Sequence, residues 1–252
     1  MRRLEFSRHV APLLLFAAVL AAWQFLPGAL GIQPFIFPKL SSVLESFTSA
    51  ERLEVMYENF KVTLGEAMAG LLIGGTVAII LGFLLGTSDT ARRLFYPYLI
   101  ALQGVPKVAL APLLLIWFGF GATSKILLAG LLCFFPLLIN TMSGVNGVDP
   151  SRVELFKSMN ASRMQIWSRL LFPTALPSIF AGIELVSVYA TLGAIVAEFI
   201  SAQAGVGVLL QNLQHSYDTA GMFAVFLVLS VMGVAINQTV RLIRRRVIFW
   251  EG

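Results

Sequence analysis

The chain has 252 residues, of which 58% are hydrophobic and only 12% charged, and its mean hydropathy is +0.84. Soluble domains carry about 45–50% apolar and about 25% charged residues, so this composition excludes a globule with a polar coat and points to a membrane protein. Eighteen Lys and Arg against thirteen Asp and Glu give a net charge of +5, but the basic residues sit at the ends of apolar runs rather than in a patch. That excludes the footprint of a nucleic-acid binder. A single cysteine, Cys133, and two histidines, His9 and His215, exclude a disulfide framework and leave zinc short of ligands.

About 20 mostly apolar residues are needed to cross a hydrocarbon core of about 30 Å as a helix. Six windows are candidates: residues 10–26, 64–85, 95–118, 126–139, 176–200 and 222–240, the third interrupted by Pro106, Lys107 and Pro112 and the fourth without defined ends. The first has the basic start of a signal peptide in Arg2, Arg3 and Arg8. Its apolar run, however, continues through Trp23, Phe25 and Leu26 with no small-residue cleavage site behind it, which predicts a retained helix.

Lys and Arg accumulate on the cytoplasmic side of a membrane. With the N-terminus inside, the inner set comprises Arg2, Arg3, Arg8, Arg92, Arg93, Arg152, Lys157, Arg163, Arg169, Arg241, Arg244, Arg245 and Arg246, against an outer set of Lys39, Arg52, Lys61 and Lys125. Both termini are therefore predicted to be cytoplasmic. The first outer loop also carries Glu45, Glu51, Glu54 and Glu58, spaced for one or two short amphipathic surface helices. Within the second span Gly70, Gly74, Ala78, Gly82 and Gly86 recur every four residues, leaving a groove where another helix backbone can approach closely.

Between the fourth and fifth spans lies a cytoplasmic stretch with two helix starts. Asp149 followed by Pro150 is an N-cap with proline at the first helical position. Ser162 caps a second helix expected to end before Pro173. Val153 and Phe156 in the first helix, and Met164, Trp167 and Leu171 in the second, make the pair amphipathic, fit either to lie in the lipid interface or to present a knob to a soluble partner.

This loop resembles the EAA signature of bacterial ABC-importer permeases. Glu154 stands at the signature's Glu, Leu155 and Phe156 at its two alanines, Asn160 at its glycine with Ala161 and Ser162 following, Leu170 at its Ile, and Phe172 with Pro173 at its Leu-Pro. Asn tolerates the left-handed backbone better than most residues, so the turn can survive the loss of glycine. Four further segments resemble permeases of the nitrate, sulfonate, taurine and bicarbonate importer group: PKVALAPLLLIWFGFGATSKI (106–126), FFPLLINTMSGV (134–145), PTALPSIFAGIE (173–184) and IVAEFISAQAGVGVLL (195–210). This chain has Glu66 and Glu184 where that group often shows arginine.

The resemblance implies an all-α integral membrane protein, a single permease domain over residues 1–252 with the six-helix type I importer fold, in the bacterial inner membrane. It further implies a homodimer, each copy docked through its cytoplasmic helix pair (residues 150–171) onto one of two ATPase subunits, with an external solute-binding protein delivering the solute. No Gly-x4-Gly-Lys-Ser/Thr loop occurs in the chain, so ATP and Mg are expected on the partner ATPase, with no cofactor, metal or catalytic residue here and no nucleic-acid partner. Alternating access is the expected mechanism.

Ionisable residues within spans are costly and so are functional candidates. Lys107, twelve residues beyond Phe95 and thus about 18 Å along a straight helix, reads as a mid-membrane cation suited to an anionic solute, or as a lysine satisfying carbonyls of a kinked helix. Gln103, one turn before, would share its face. Glu184 reads as a partner of Lys107 or a vestibule residue. Glu198 reads as an outer-gate residue or a helix-end carboxylate bonded to the following loop, and Glu66 as interfacial. In the tail, the basic and aromatic run Arg241 to Trp250 suits anchoring to anionic lipid. An ion-gradient-driven transporter or channel is the alternative function, though no internal repeat between the halves supports it.

Overall fold

The structure, a computed structural model, describes residues 2–200 and 203–250, with side chains from Val10 onward. Helices are its only regular elements among the described residues. Five are long and apolar enough to span a membrane, and one bent helix pair meets the same test only when its two halves are taken together.

Helix α1 (Arg2–Ala29) leaves Leu13, Leu14, Leu15, Phe16 and Val19 exposed, as suits a lipid-facing helix. After a short α2 (Leu40–Glu45) comes α3 (Ala50–Gly86), which is longer than the predicted second span. Ser49 caps it, accepting from Arg52 N, and no proline interrupts the stretch up to Gly86. The amphipathic outer segment thus fuses to the span, because the span's first turn already offers it a helical template.

The third span differs most from expectation. Rather than one interrupted helix over 95–118, it forms α4 (Asp89–Gln103), a 3-10 turn (Lys107–Leu110) and α5 (Ala111–Phe118), with a bend of 78° between the halves. Pro106 carries no N–H to continue the ladder of α4, and Pro112 starts α5 at a position where a proline costs nothing.

Helix α6 (Ala122–Asn146) runs four residues further out and seven further in than its predicted window. Next comes α7 (Pro150–Ser158), then α8 (Arg163–Ile166), which does not stop before Pro173. A π-turn (Trp167–Leu171) carries it directly into α9 (Phe172–Ile200). Phe172 N donates to Trp167 O across that widened turn, which makes room for a proline ring whose own N–H is missing. The chain closes with α10 (Val206–His215), a short outer helix the sequence reading did not place, and α11 (Thr219–Val247).

The core is built by α3, α6 and α9, with Ala67, Leu71, Ala78, Cys133, Leu137, Leu138, Val186, Ala190 and Ala194 buried between them. Hydrophobicity cannot distinguish lipid from protein here, so close backbone approach holds the helices together. The glycine stripe of α3 provides it. A Cβ on Gly74 would strike the Gly130 backbone, and one on Gly82 would lie 2.6 Å from Leu138 O. Gly193 of α9 repeats the device, a Cβ there lying 2.7 Å from Ala129 Cα.

Candidate functional site: a cytoplasmic knob and the charged groups of the spans

The cytoplasmic knob is assembled from local rules. Asp149 accepts from Ser151 N at 2.9 Å, and this bond holds its carboxyl below the usual carboxylate range. Helix α7 ends in a turn at Asn160, which takes a left-handed φ of 56°, with Ala161 N donating to Phe156 O. Ser162 and Gln165 then close a reciprocal capping box: Ser162 N donates to Gln165 Oε1 at 2.7 Å and Gln165 N to Ser162 Oγ at 3.3 Å.

Ile166, Leu170 and Leu171 are buried with Val145, Val148, Ala175 and Ile179, and Val153, Phe156, Ala161 and Trp167 pack against them. Trp167 and Phe172 both stack edge-on against Phe83 of α3, with ring centroids 5.8 and 6.0 Å apart. The knob is therefore packed against three spans, α3, α6 and α9. Of the two bulky residues at the signature's alanine positions, Phe156 turns inward and Leu155 outward. Leu155, Met159 and Met164 are 58%, 61% and 68% exposed, and Glu154 beside them is also exposed. The face shared by Met164, Trp167 and Leu171 in the sequence reading divides, Met164 outward and Leu171 inward, because the π-turn changes the helical register.

At the broken span Lys107 lies where the helix has come apart. Its Nζ donates to Gln103 O at 2.6 Å and Val105 O at 3.3 Å, and sits 4.9 Å from the centre of the Phe135 ring. Those carbonyls are the orphans of a helix end, and the ring adds a cation–π contact. Gln103 ends α4 and does not share a helical face with Lys107; its side chain is exposed.

Glu184 does not meet Lys107. Its carboxylate faces α11, with Arg244 at 3.3 Å and Arg241 at 3.5 Å. Distant residues in sequence meet here because α9 and α11 run side by side, a pairing with no local sequence signal.

Glu198 is 0% exposed. It accepts from Thr63 Oγ1 at 2.6 Å and Gly207 N at 2.7 Å, while Val206 N donates to Thr63 Oγ1 and Gly205 N to Asn59 Oδ1. Glu66, read from sequence as interfacial, is also buried and pairs with buried Lys125 at 3.0 Å; Lys125 donates as well to Ala204 O. Gly205, at φ 118°, and Gly207 are required by this carboxylate, since a Cβ on either would run into Glu198. The group ties the start of α10 to α3, α6 and α9. Thr63 and Asn59 escaped the sequence reading, Lys125 was read only as an outer basic residue, and only the AGVG run at 204–207 hinted at the crowding.

Comparison with known proteins agrees with this architecture. Residues 74–249 match the family described as the binding-protein-dependent transport system inner membrane component. The chain is 32% identical over 240 residues to the putative aliphatic sulfonates transport permease protein of Bacillus subtilis, covering 95% of this chain and 87% of that one. It is 31% identical over 224 residues to the formylaminopyrimidine transport permease protein of Halalkalibacterium halodurans, covering 88% of each. Its fold resembles that of the MetNI methionine ABC transporter in an inward-facing form, with a TM-score of 0.61 and 18% identity over 77% of this chain and 95% of that one. With its all-helical membrane fold and a family match over most of its length, the chain belongs to the membrane permease components of binding-protein-dependent ABC transport systems.

Proposed function

We propose that this permease imports a small organic or inorganic anion, of the sulfonate, taurine, nitrate or carboxylate kind, across the bacterial inner membrane, powered by ATP hydrolysis on separate subunits. Two copies form the path by alternating access, each knob seats on one ATPase subunit that binds ATP and Mg, and an external binding protein delivers the solute. The observation that carries the reading is the knob: three large apolar side chains, Leu155, Met159 and Met164, are exposed on a scaffold whose other apolar residues are packed. A rigid apolar projection of this kind fits a groove on a soluble partner. Because α8 continues into α9, a displacement of the knob passes to the span without a flexible joint.

An anionic solute is favoured by Lys107, an ammonium at the break of an otherwise apolar span. The relatives carry both sulfonates and a formylaminopyrimidine by name, so a neutral heterocycle is the second reading. Gentle extraction from native membranes is expected to bring out a stoichiometric ATPase subunit with vanadate-sensitive hydrolysis, stimulated by binding protein loaded with a sulfonate. A chain that emerges alone and transports without ATP overturns the coupling scheme. Stimulation by a formylaminopyrimidine and not by any anion overturns the substrate class alone.

A further inference from the structure

The geometry points to a binding site for a small oxyanion, a sulfonate or carboxylate, at the cytoplasmic end, between the first two turns of α4 and the last turn of α6. The two helices flank a cavity of about 590 Å³ there, a size that suits a small molecule. Arg92, Arg93 and Tyr96 line it from one face of α4, and Ser143 and Asn146 from one face of α6. Lys107 lies beyond the other end of α4. From Arg93 to Gln103 the helix rises about 15 Å at 1.5 Å per residue, so the two cations belong to separate places.

Charge and unspent donors select the occupant. Among the described residues no acid lines the cavity; Asp89 meets Arg92 at 3.0 Å, but its side chain is 78% exposed and stands outside the lining. Arg93 makes no ion pair and no side-chain hydrogen bond among the described residues, and neither do the side chains of Tyr96, Ser143 and Asn146 make hydrogen bonds there. An unpaired guanidinium, an amide and two hydroxyls therefore face one space with donors to offer. A guanidinium takes an oxyanion through two N–H groups at once. The end of α6 carries a negative dipole that opposes an anion, and the chain turns part of it inward: Gly147 N donates to Ser143 O at 2.9 Å and Val148 N to Val145 O at 3.4 Å. That the anion is the transported solute, met from the cytoplasmic side, rests on the function proposed above; the site itself does not.

The test places a reporter in the cavity: the full-length chain carrying Ser143→Cys, in phosphatidylcholine nanodiscs, is labelled with two methanethiosulfonates, one ending in a sulfonate and one in a trimethylammonium. Cys133 is buried and stays silent. The sulfonate reagent is expected to react about tenfold faster than the cationic one, and ethanesulfonate in solution is expected to protect the introduced thiol. Arg93→Gln, at an exposed and unpaired side chain, is expected to remove both the preference and the protection, while Lys107→Met keeps them. Equal rates for the two reagents with Arg93 in place, or preference and protection that survive Arg93→Gln, overturn the site. Loss of protection in Lys107→Met alone overturns it in favour of the broken span. Loss of protection when phosphatidylglycerol replaces half of the lipid overturns the soluble anion in favour of a lipid phosphate. Protection that depends on Arg93, in a protein whose uptake is of a neutral heterocycle and of no anion, supports the site and overturns the anionic-solute reading alone.

Discussion

The two ends of this molecule treat charge and apolar surface in opposite ways. At the outer end Glu66, Lys125, Glu198 and Thr63 are buried and bonded to one another or to backbone. At the cytoplasmic end Leu155, Met159 and Met164 stand exposed on a helix pair whose core is complete. A buried carboxylate is tolerable only with donors arranged around it, so the outer cluster exists to hold the fold. An exposed apolar knob contributes nothing to the fold of its own chain, which is what the proposed docking role requires.

That contrast can be broken from either side, and the largest effect is expected at the outer end. Lys125→Met leaves Glu66 buried without its cation and is expected to cost about 3–5 kcal/mol, measured as a drop in thermal midpoint in detergent. Adding Glu66→Gln should recover part of the loss, and a Lys125→Met protein as stable as wild type would show that the pair is not structural. Next in size is Gly74→Val. Its side chain must enter the Gly130 backbone, so overpacking of about 1–3 kcal/mol is expected, seen as increased protease sensitivity of α3 and α6.

The inner end should respond in function and not in stability. Leu155→Asp combined with Met164→Asp is expected to weaken ATPase association by at least about 2 kcal/mol, or thirtyfold, while the thermal midpoint stays within the small range typical of surface substitutions. A parallel fall in both would mean that the knob supports the fold rather than a partner. Lys107→Met tests the broken span: uptake of an anion should slow about tenfold, equivalent to about 1.4 kcal/mol, with assembly unchanged. Unaltered uptake would leave Lys107 as a cap on the carbonyls of Gln103 and Val105.

The smallest effect is a pH dependence. Asp149 has its folded pKa depressed below 3.8 by its bond to Ser151, so its contribution to α7 is present above the unfolded value and is lost as pH falls through the folded one. Hydrogen exchange in the first turn of α7 should therefore rise, relative to its intrinsic rate, only below pH 3.8. Asp149→Asn keeps a capping side chain and should abolish that dependence.

Local features were legible in the sequence because their causes are local. Asp149 with Pro150, the left-handed turn at Asn160 and the Ser162 cap each depend on residues within a few positions. The glycine stripe of α3 was legible as a packing face because helical periodicity alone puts its members in line. Less could be said of the ends of α8 and α9: Pro173 suggested a stop, and the π-turn before it accommodated the ring instead.

By itself, the sequence determined the membrane class, the apolar runs and the caps of the knob, since hydropathy and capping act over short distances. Tertiary structure decided what each intramembrane charge touches. Glu184 pairs with Arg241 and Arg244 across α11, Glu198 with Thr63 and Gly207, and Glu66 with Lys125, all contacts set by which faces of packed helices meet. It also decided that Lys107 sits at a 78° break with its ammonium on freed carbonyls, and that Leu155 faces out while Phe156 faces in. The physical reason is the same throughout: a buried charge takes whatever complementary group the packing brings within about 3 Å, and chain order does not state which group that will be.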